Sequence, residues 1–537
     1  MIALYTLILS LFVATALVPL LIRYADRLHL IDLPDGRKIH EGAIPRVGGI
    51  AIVAGTFAAA LLFLPDRAEI ISYLFGALII FAFGVVDDRL DLDYRVKFFG
   101  QIAGALVLVL GGDLCLTRVP FVYGAVMPGW VGIPLTVIVI VALTNAINLS
   151  DGMDGLAGGT SLVAAGALGY LAYLGDDRHV ALLALCLIGA TLGFLRYNTF
   201  PARVFMGDGG SQFLGFSVAA LSILLIERSN TAISPLVPLL ILAMPITDTL
   251  YVMTRRIRAG VSPFAPDRQH LHHRLLDAGL NQYESVVFIY GLQFVLVALA
   301  WSLQYAPDWF LLGVFVLFVV VLLSLLRLWQ SQDTHGRELL EKLDLVTRVV
   351  GYVQATDLAR RLGDNLLVYG LALLFPVAAL LLQGVSQDIG WLSLLLGATL
   401  LLAMLTPLLP LTRVSRLAAF VLAVCIAFLA ESKGLAGGLD VVWFRGWLVV
   451  IALGIALKLR FGGGDFHVNA LDVLVVLIIA IVPNMPFVRE MGLRATVVDT
   501  LVLFYACELA LSGADTRWHL LRLSTLAGLA ILVVRAF

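Results

Sequence analysis

Charged residues are scarce in this sequence. Asp, Glu, Lys and Arg make up 14% of its 537 residues, whereas 61% are hydrophobic and the mean hydropathy is +0.98. A chain this apolar cannot cover a water-facing surface with polar groups, which excludes a soluble globular protein. The formal net charge of −1 gives no overall basic field of the kind that attracts nucleic acid. We therefore expect an all-α polytopic membrane protein without a nucleic-acid partner.

Cysteine is scarce too. The four cysteines lie in or beside apolar runs without metal-ligand spacing, so we interpret them as small core residues. They are Cys115, Cys186, Cys425 and Cys507. The N-terminus shows no basic segment before its first apolar run and no small-residue cleavage site after it. We interpret residues 2–24 as a first membrane span rather than as a signal peptide.

Long apolar runs take up most of the chain. Runs of about 17 to 25 residues predict about eleven membrane-spanning helices before residue 330. They lie near residues 2–24, 48–64, 68–86, 98–112, 131–147, 155–174, 179–196, 211–227, 234–254, 283–304 and 307–327. About seven more apolar runs follow a polar segment. We predict a membrane core over residues 1–330, a polar cytoplasmic linker with helix-forming composition over 331–362, and a second membrane module of unassigned role over 363–537.

The basic residues predict the orientation of the core. If the N-terminus lies outside, the odd-numbered loops carry most of the arginine and lysine, and the positive-inside rule places those loops in the cytoplasm. Five unusual polar clusters fall on this side. They are RKIHEGAIPRVGG (37–49), DDRLDLDYRVKFFGQ (87–101), NAINLSDGMDGLAGG (145–159), RYNTFPARVFMGDGG (196–210) and SPFAPDRQHLHHRLLDAG (262–279). Carboxylates at span ends are costly unless solvated or paired, so this convergence predicts a site at the cytoplasmic membrane surface.

The aspartates of these clusters suit a divalent cation. Asp87 and Asp88 follow an apolar run, and adjacent carboxylates either bind a hard cation such as Mg²⁺ or shift each other's pKa so that one acts as a base. A helix cap or an ion pair is the structural alternative. Asp151 and Asp154, among glycines, could hold a metal or hydrogen-bond a ligand. Asp208 in MGDGG fits either a turn or a metal ligand beside anion-binding amides.

A histidine-rich segment completes the series. His270, His272 and His273 follow Arg268, and three histidines could ligate zinc, but histidine and arginine facing phosphates fit a site of carboxylates and Mg²⁺ better. Together the clusters indicate a cation that neutralises a diphosphate, basic side chains that bind its oxygens, and a carboxylate that activates a nucleophile. This combination predicts phosphoryl transfer between a soluble nucleotide and a membrane lipid.

Four ordered segments carry a family resemblance. VDDRLDLDYRVKFFGQ, NAINLSDGMDGLAGG, FLRYNTFPARVFMGDGGSQFLGF and SPFAPDRQHLHHRL resemble motifs of the polyprenyl-phosphate N-acetylhexosamine-1-phosphate transferases, the MraY/WecA superfamily. The form DRQHLHH is most similar to the WecA branch. The resemblance, which covers the predicted core, implies transfer of N-acetylhexosamine 1-phosphate from a UDP-sugar to undecaprenyl phosphate, with release of UMP. GlcNAc 1-phosphate is the expected group, and the initiating step of a cell-envelope glycan such as O-antigen is the expected context.

The same resemblance implies residue roles. Asp208 would be the main Mg²⁺ ligand, with Asp88 as a second ligand beside it. Mn²⁺ is the alternative metal. Asp87 would be the favoured general base. The residues that would bind phosphate, sugar or nucleotide are Lys38, Lys97, Asn145, Asn148, Asp151, Asp154, Asn198, Phe205, Arg268, His270, His272 and His273. The implied location is the bacterial inner membrane, with the active site on the cytoplasmic face. The implied partners are the UDP-sugar, undecaprenyl phosphate, and a second copy of the chain or downstream glycan enzymes.

The sequence leaves mechanism and class partly open. The lipid phosphate could attack the β-phosphorus directly, or a carboxylate could first form a covalent intermediate. A Mg²⁺-dependent prenyltransferase also binds diphosphate through aspartates, but it does not account for DRQHLHH. An ion-coupled transporter would place carboxylates near the membrane midplane, often in related halves. In the second module, Glu508 lies within apolar sequence, and we interpret it as hydrogen-bonded to a neighbouring helix.

Overall fold

A computed structural model describes residues 2–32, 42–122, 124–262, 270–330, 357–406, 410–435, 441–461, 494–512 and 518–537. The chain divides into two compact units. The described residues of the first unit end at Gln330, and those of the second begin at Asp357. Most of the predicted linker, residues 331–356, lies outside the described residues.

The first unit consists of thirteen described helices and one short antiparallel hairpin. The helices are α1 (Ile2–Tyr24), α2 (Gly48–Phe63), α3 (Ala68–Leu90), α4 (Tyr94–Leu106), α5 (Gly129–Leu149), α6 (Leu156–Leu174), α7 (Arg178–Asn198), α8 (Gly207–Leu224), α9 (Val237–Ile241), α10 (Ala243–Arg258), α11 (Leu271–Asp277), α12 (Gln282–Ser302) and α13 (Asp308–Gln330). A π-helical turn extends α4 over Val107–Gly111, and another extends α8 over Leu225–Ser229. In the hairpin, β1 (Ile31–Asp32) pairs with β2 (Ile44–Pro45).

The helices confirm an all-α polytopic membrane protein. Thirteen described helices of the whole chain are long and apolar enough to cross a membrane, nine of them in the first unit. Each of the eleven apolar runs predicted before residue 330 coincides with helix. Helix α2 is shorter than a typical span, at 16 residues.

The run at 234–254 is not one continuous helix. It divides at Leu242 into α9 and α10. Pro245 has no backbone N–H, so it cannot bond to the carbonyl of Ile241 one turn earlier. The side-chain amide of Gln293 in α12 donates to that carbonyl instead. The break therefore leaves this carbonyl satisfied, and it starts α10 as a separate helix with polar residues on its inner face.

Helix α8 lies at the centre of the first unit, packed against α2, α3, α5 and α6. Glycines at its N-terminal end allow this close packing. A Cβ added to Gly84 of α3 would lie 2.4 Å from the Cα of Gly209, and one added to Gly49 of α2 would lie 2.5 Å from the Cα of Gly210. Since real Cβ atoms do not approach so closely, these glycines let two helices reach the N-terminus of α8, where Asp208 lies.

One end of this unit is held together by paired polar groups. The guanidinium of Arg118 donates to the carbonyl of Thr231 at 2.7 Å. The hydroxyl of Thr117 donates to Glu227 at 2.5 Å, and Asp308 accepts from neighbouring groups. We call this end, with Thr117, Glu227 and Asp308, the tied end. The C-terminal ends of α3 and α5 lie at the opposite end.

The second unit contains six described helices. They are α14 (Asp357–Leu381), α15 (Gln387–Leu405), α16 (Leu411–Lys433), α17 (Val441–Phe461), α18 (Arg494–Ser512) and α19 (Trp518–Ala536). Helix α14 begins inside the predicted linker, so residues 357–362 are helical. The indole of Trp447 donates to the carbonyl of Gly370 at 3.1 Å, joining α17 to α14 around an apolar core.

Candidate active site

Asp88 joins the C-terminal end of α3 to the N-terminal end of α8. Its carboxylate accepts hydrogen bonds from the backbone N–H groups of Asp208 at 2.8 Å and Gly209 at 3.1 Å. These are amides of the first turn of α8, which have no partner within the helix. Gly207 has φ +72°, and a Cβ there would lie 2.5 Å from Asp88 Oδ2. A glycine is therefore required where Asp88 caps the helix that carries Asp208.

Asp87 and Asp208 both contact Lys97. The ammonium nitrogen lies 2.6 Å from Asp87 Oδ2 and 3.6 Å from Asp208 Oδ2. Asp87 is buried, and its other oxygen accepts from the backbone N–H of Leu92 at 2.9 Å. Helix α4, which carries Lys97, begins where Asp93 accepts from the N–H of Arg95 at 2.9 Å. Two sequence clusters, residues 87–101 and 196–210, thus meet around one ammonium group.

Arg46 supplies a second cation to this cluster. Its guanidinium forms an ion pair with Asp32 across the β1–β2 hairpin and lies 3.8 Å from Asp88 Oδ1. The hairpin is fixed to the loop before α8, because Phe205 N–H donates to the carbonyl of Pro45 at 2.8 Å. Arg46 was not among the predicted site residues. The sequence cluster at residues 37–49 contains Arg46, but the sequence alone did not distinguish Arg46 from the neighbouring basic residues.

The loop of Asp151 and Asp154 is positioned by the end of α7. Asn198 is buried; its side-chain oxygen accepts from Gly155 N–H at 3.0 Å and its amide donates to the carbonyl of Val204 at 2.9 Å. Asp154 accepts from the backbone N–H of Ala202 at 2.9 Å. Asn198 and Asp154 therefore hold the loop before α6 and the loop before α8 together.

Asp151 lies within the electrostatic field of the aspartate cluster. Burial raises the pKa of Asp151 to about 7, and the negative charges of Asp88 and Asp154 raise it further, while Arg46 opposes them. Burial is the larger cause, and the negative charges of the neighbouring carboxylates add to it. A cation bound at the site would relieve it.

Asn145 and Asn148 connect α5 to the helices beside it. The amide of Asn145 donates to Gln101 Oε1 at 2.6 Å, and the amide of Gln101 donates to Gln212 Oε1 at 3.0 Å. Asn148 accepts from the hydroxyl of Ser211 at 2.5 Å, one turn into α8. In this structure both predicted binding residues are linked to α8 by polar contacts, Asn145 by way of Gln101 and Gln212 and Asn148 through Ser211. The glutamine partners and Ser211 were missed from sequence.

The histidine segment is brought to the Asp151 loop by a buried aspartate. His270 Nδ1 lies 2.8 Å from Asp248 Oδ2, and Asp248 also accepts from the N–H of Leu271 at 2.6 Å. A Cβ on Gly152 would lie 2.3 Å from His272 Nε2, so the His272 ring packs directly on this loop. Burial lowers the pKa of His272 to about 3, with the neighbouring His273 adding to the effect. His272 is therefore neutral at physiological pH.

Asp248 was not predicted, because it lies in an apolar run with no motif around it. Of the predicted residues, Lys38 and Arg268 lie outside the described residues. The structure places the others around one end of the first unit, through the contacts of the Asp87, Asp88 and Asp208 group, the Asp151 loop and the histidine segment. The roles assigned to them remain predictions.

The oxygen-rich cluster fits a hard divalent cation such as Mg²⁺. Asp87 Oδ2 is buried without a well-formed hydrogen bond, facing Lys97, and Asp208 contributes a second carboxylate beside it. Each oxygen of Asp88 keeps a lone pair after accepting its backbone hydrogen bond. Among the described residues, no three His, Cys, Asp or Glu side chains already converge as metal ligands. Binding would therefore require small movements of these carboxylates.

Comparison with known proteins identifies the family. A family model described as glycosyl transferase family 4 matches residues 70–226. A probable undecaprenyl-phosphate N-acetylglucosaminyl 1-phosphate transferase of Bacillus subtilis (strain 168) is 39% identical over 319 residues, covering 59% of this chain and 88% of that relative. The chain belongs to glycosyl transferase family 4. An undecaprenyl-phosphate alpha-N-acetylglucosaminyl 1-phosphate transferase of Escherichia coli (strain K12) is 33% identical over 323 residues, covering 58% of this chain and 87% of that protein.

Membership of family 4 confirms the family expected from the four motifs. The matched residues 70–226 include Asp87, Asp88 and Asp208. These three residues and Lys97, which contacts Asp87 and Asp208, are therefore part of the matched region of the chain.

Proposed function

We propose that this chain transfers N-acetylglucosamine 1-phosphate from UDP-N-acetylglucosamine to undecaprenyl phosphate and releases UMP. The observation that carries the proposal is the convergence of three carboxylates at one end of the helices. Asp87 and Asp208 both contact Lys97, and Asp88 caps the helix that carries Asp208. The names of the relatives support the donor sugar and the acceptor lipid. The positive-inside distribution of loop charges supports a site facing the cytoplasm, where nucleotide sugars are available.

Direct attack by the lipid phosphate is the simplest mechanism. A phosphate oxygen of the lipid bonds to the β-phosphorus of the donor, and the bond from that phosphorus to the bridging oxygen breaks, so UMP leaves with the electron pair. A phosphate monoester has a second pKa near 6, so the attacking oxygen is already mostly ionised at neutral pH. Catalysis then rests on positioning and on charge neutralisation rather than on a strong base.

The chain's own residues supply most of that positioning. Lys97 can donate to a phosphate oxygen while Asp87 keeps its ammonium charged and oriented. Asp208 and Asp88 would hold Mg²⁺, whose charge would neutralise the diphosphate oxygens. The Asp151 loop and the adjoining His272 and His273 would contact the nucleotide sugar. Arg46 would add positive charge beside Asp88.

A reconstituted assay tests the proposal. The full chain in detergent is supplied with undecaprenyl phosphate, Mg²⁺ and either UDP-N-acetylglucosamine or UDP-N-acetylmuramoyl-pentapeptide, and released UMP is measured. We expect UMP release that requires the lipid, the nucleotide sugar and the metal, with preference for the smaller donor. Release of inorganic diphosphate from a prenyl diphosphate instead would assign the site to prenyl transfer.

A further inference from the structure

A buried arginine in the second unit, Arg522, has no anionic partner among the described residues. Arg522 lies in the second turn of α19 and is 8% exposed. Its Nε is buried without a hydrogen bond, and within the described part of the chain its guanidinium forms no ion pair or hydrogen bond. Arginine retains its charge at any physiological pH. A buried guanidinium without an anion is strongly unfavourable, so its presence points to a ligand.

The position of Arg522 in its helix makes an anion more favourable still. The N-terminal turns of a helix carry partial positive charge, and cations are normally favoured at the other end. Helix α19 also has the length and composition of a membrane span, and it begins at Trp518. Tryptophan is enriched where a span meets the lipid headgroups. Arg522, one turn further on, therefore lies within reach of the headgroup layer.

A second arginine faces the same tryptophan. The guanidinium of Arg522 lies 5.3 Å from the ring centroid of Trp518, and that of Arg416 lies 5.9 Å from it. Arg416 donates to the carbonyl of Leu511 at 2.8 Å and lies 3.7 Å from Glu508. This long contact, with both side chains partly exposed, is a weak ion pair. The sequence interpretation of Glu508 as bonded across helices is consistent with it.

Two other cations of the second unit, Arg416 and Lys458, each have an anionic partner among the described residues. Lys458 of α17 lies 3.0 Å from Asp364 of α14 and donates to the carbonyl of Leu509 at 3.0 Å. Counting Arg416 against Glu508 and Lys458 against Asp364 leaves the charge of Arg522 uncompensated among these residues. The charge of Arg522 and its position near the membrane surface indicate a small anion as its ligand.

We propose that Arg522, Arg416 and Trp518 form a binding site for the phosphate of a lipid headgroup. The planar guanidinium groups suit bidentate contacts to phosphate oxygens, and the indole lies at the depth where a headgroup begins. This site lies wholly in the second unit, and it goes beyond the proposed transferase reaction. Anionic phospholipid, undecaprenyl phosphate and free phosphate share this chemistry, and they are separated by experiment.

Binding is measured on the full, delipidated chain by native mass spectrometry and by thermal stability. The probes are phosphatidylglycerol, undecaprenyl phosphate and inorganic phosphate, each titrated separately. Arg522→Gln should weaken the binding of at least one probe by about tenfold or more, the scale of losing a charge-assisted hydrogen bond. Arg535→Gln is the matched control, because Arg535 is exposed at the other end of α19 and donates to the Leu380 carbonyl. It should leave binding unchanged.

Stability without ligand separates a binding role from a structural one. If Arg522 is held for an anion, Arg522→Gln removes an unpaired buried charge, so the lipid-free variant should unfold at the same temperature as the wild type or higher. Its stabilisation by the effective probe should disappear. Arg522→Lys keeps the positive charge but loses the planar, two-pronged guanidinium, so it should bind the effective probe with intermediate affinity.

The identity of the effective probe assigns the source of the phosphate. Arg522-dependent binding of a lipid, but not of inorganic phosphate, assigns the site to that headgroup, and dependence with inorganic phosphate alone assigns it to a free anion. Equal binding of all three probes by wild type and Arg522→Gln overturns the proposal. UMP release by Arg522→Gln in detergent should match the wild type, so failure of the transferase proposal is observed separately.

Discussion

The two ends of the first unit use aspartate and glutamate differently. At the tied end, Asp308 accepts from Ser234 and from the backbone of Phe121, and Glu227 accepts from Thr117. There the carboxylates of Asp308 and Glu227 accept hydrogen bonds from hydroxyl or backbone amide groups of the fold. At the site end, the adjacent Asp87 and Asp88 face Asp208, and Lys97 is shared between Asp87 and Asp208.

We interpret this difference as separating structural carboxylates from those of the candidate site. Grouping like charges is unfavourable for the folded chain alone, and a ligand with opposite charge offsets the cost. At the tied end, Asp308 and one oxygen of Glu227 already accept hydrogen bonds from neutral groups of the fold, and the other oxygen of Glu227 is buried without one. Charge crowding at the site end, rather than the number of acids, therefore marks the site.

The largest expected effect comes from a pair of variants in which one aspartate at each end is replaced separately by asparagine. Asp208 and Asp308 both lie in the first turn of a helix. Asp208→Asn should lower UMP release by about two orders of magnitude or more, because it removes a charge that a hard cation selects. Asp308→Asn should change turnover by less than about threefold while lowering stability by about 1–3 kcal/mol. Equal losses of turnover would remove the distinction between the ends.

Lys97 is expected to have the next largest effect. Lys97→Gln leaves Asp87 and Asp208 without their shared cation and removes a phosphate donor. We expect turnover to fall by about ten- to a hundredfold, on the scale of losing one electrostatic contact in the transition state. Arg118→Gln at the tied end is the control for loss of a cation. It should affect thermal stability more than turnover, because Arg118 donates to backbone carbonyls.

Gly207 tests the cap that orients Asp208. Gly207→Ala places a Cβ at positive φ and 2.5 Å from the Asp88 carboxylate. We expect about a tenfold loss of turnover and about 1–3 kcal/mol of destabilisation, from backbone strain and displacement of Asp88. Gly166→Ala in α6 is the control, since its Cβ would meet nothing within 4 Å. That variant should be as active and at least as stable as the wild type.

His272 should give a smaller effect on the pH dependence of stability. Its folded pKa, about 3, lies below the ordinary value of 6.5. The neutral ring therefore contributes stability that is present above pH 6.5 and is lost as the pH falls from 6.5 towards 3. His272→Asn should reduce the fall in melting temperature between pH 7.5 and 4.5 by about 2–4 °C. The exposed His29 provides the control variant His29→Asn, and an identical pH profile in all three proteins would rule out this titration.

The smallest expected effect is that of removing the second unit. A chain ending at Gln330 retains all the contacts of the site end, and it avoids cutting α14, which begins at Asp357. We expect UMP release within about tenfold of the full chain, a change of no more than about 1.4 kcal/mol in the barrier. A folded truncation without turnover would show that the second unit completes the active site.

Sequence reasoning predicted the helices better than the contacts between them. Apolar length identified the spans, and the motifs identified Asp87, Asp88 and Asp208, because both signals are local. The break at Leu242 was missed, although Pro238 and Pro245 indicate it. Such prolines are tolerated when another helix satisfies the freed carbonyl, and only the packing shows that.

The residues that were missed form their contacts with partners that are distant in the sequence. Asp248 resembles an isolated acid in an apolar run until α11 brings His270 against it. Gln101 and Gln212 become one network with Asn145 only when α4, α5 and α8 meet. Asp88 was predicted as a metal ligand, and its contact with the amides of α8 is a tertiary cap without a local sequence signal.

The fate of the donor's β-phosphate tests the central claim most directly. UDP-N-acetylglucosamine labelled with ³²P at the β-phosphate is incubated with undecaprenyl phosphate, Mg²⁺ and the full chain, and the label is followed in the lipid and nucleotide fractions. The account predicts label in the lipid, unlabelled UMP in equal amount, and loss of both in Asp208→Asn. Label retained in a released UDP, with unlabelled sugar on the lipid, would contradict it, because the sugar would then have moved without its phosphate.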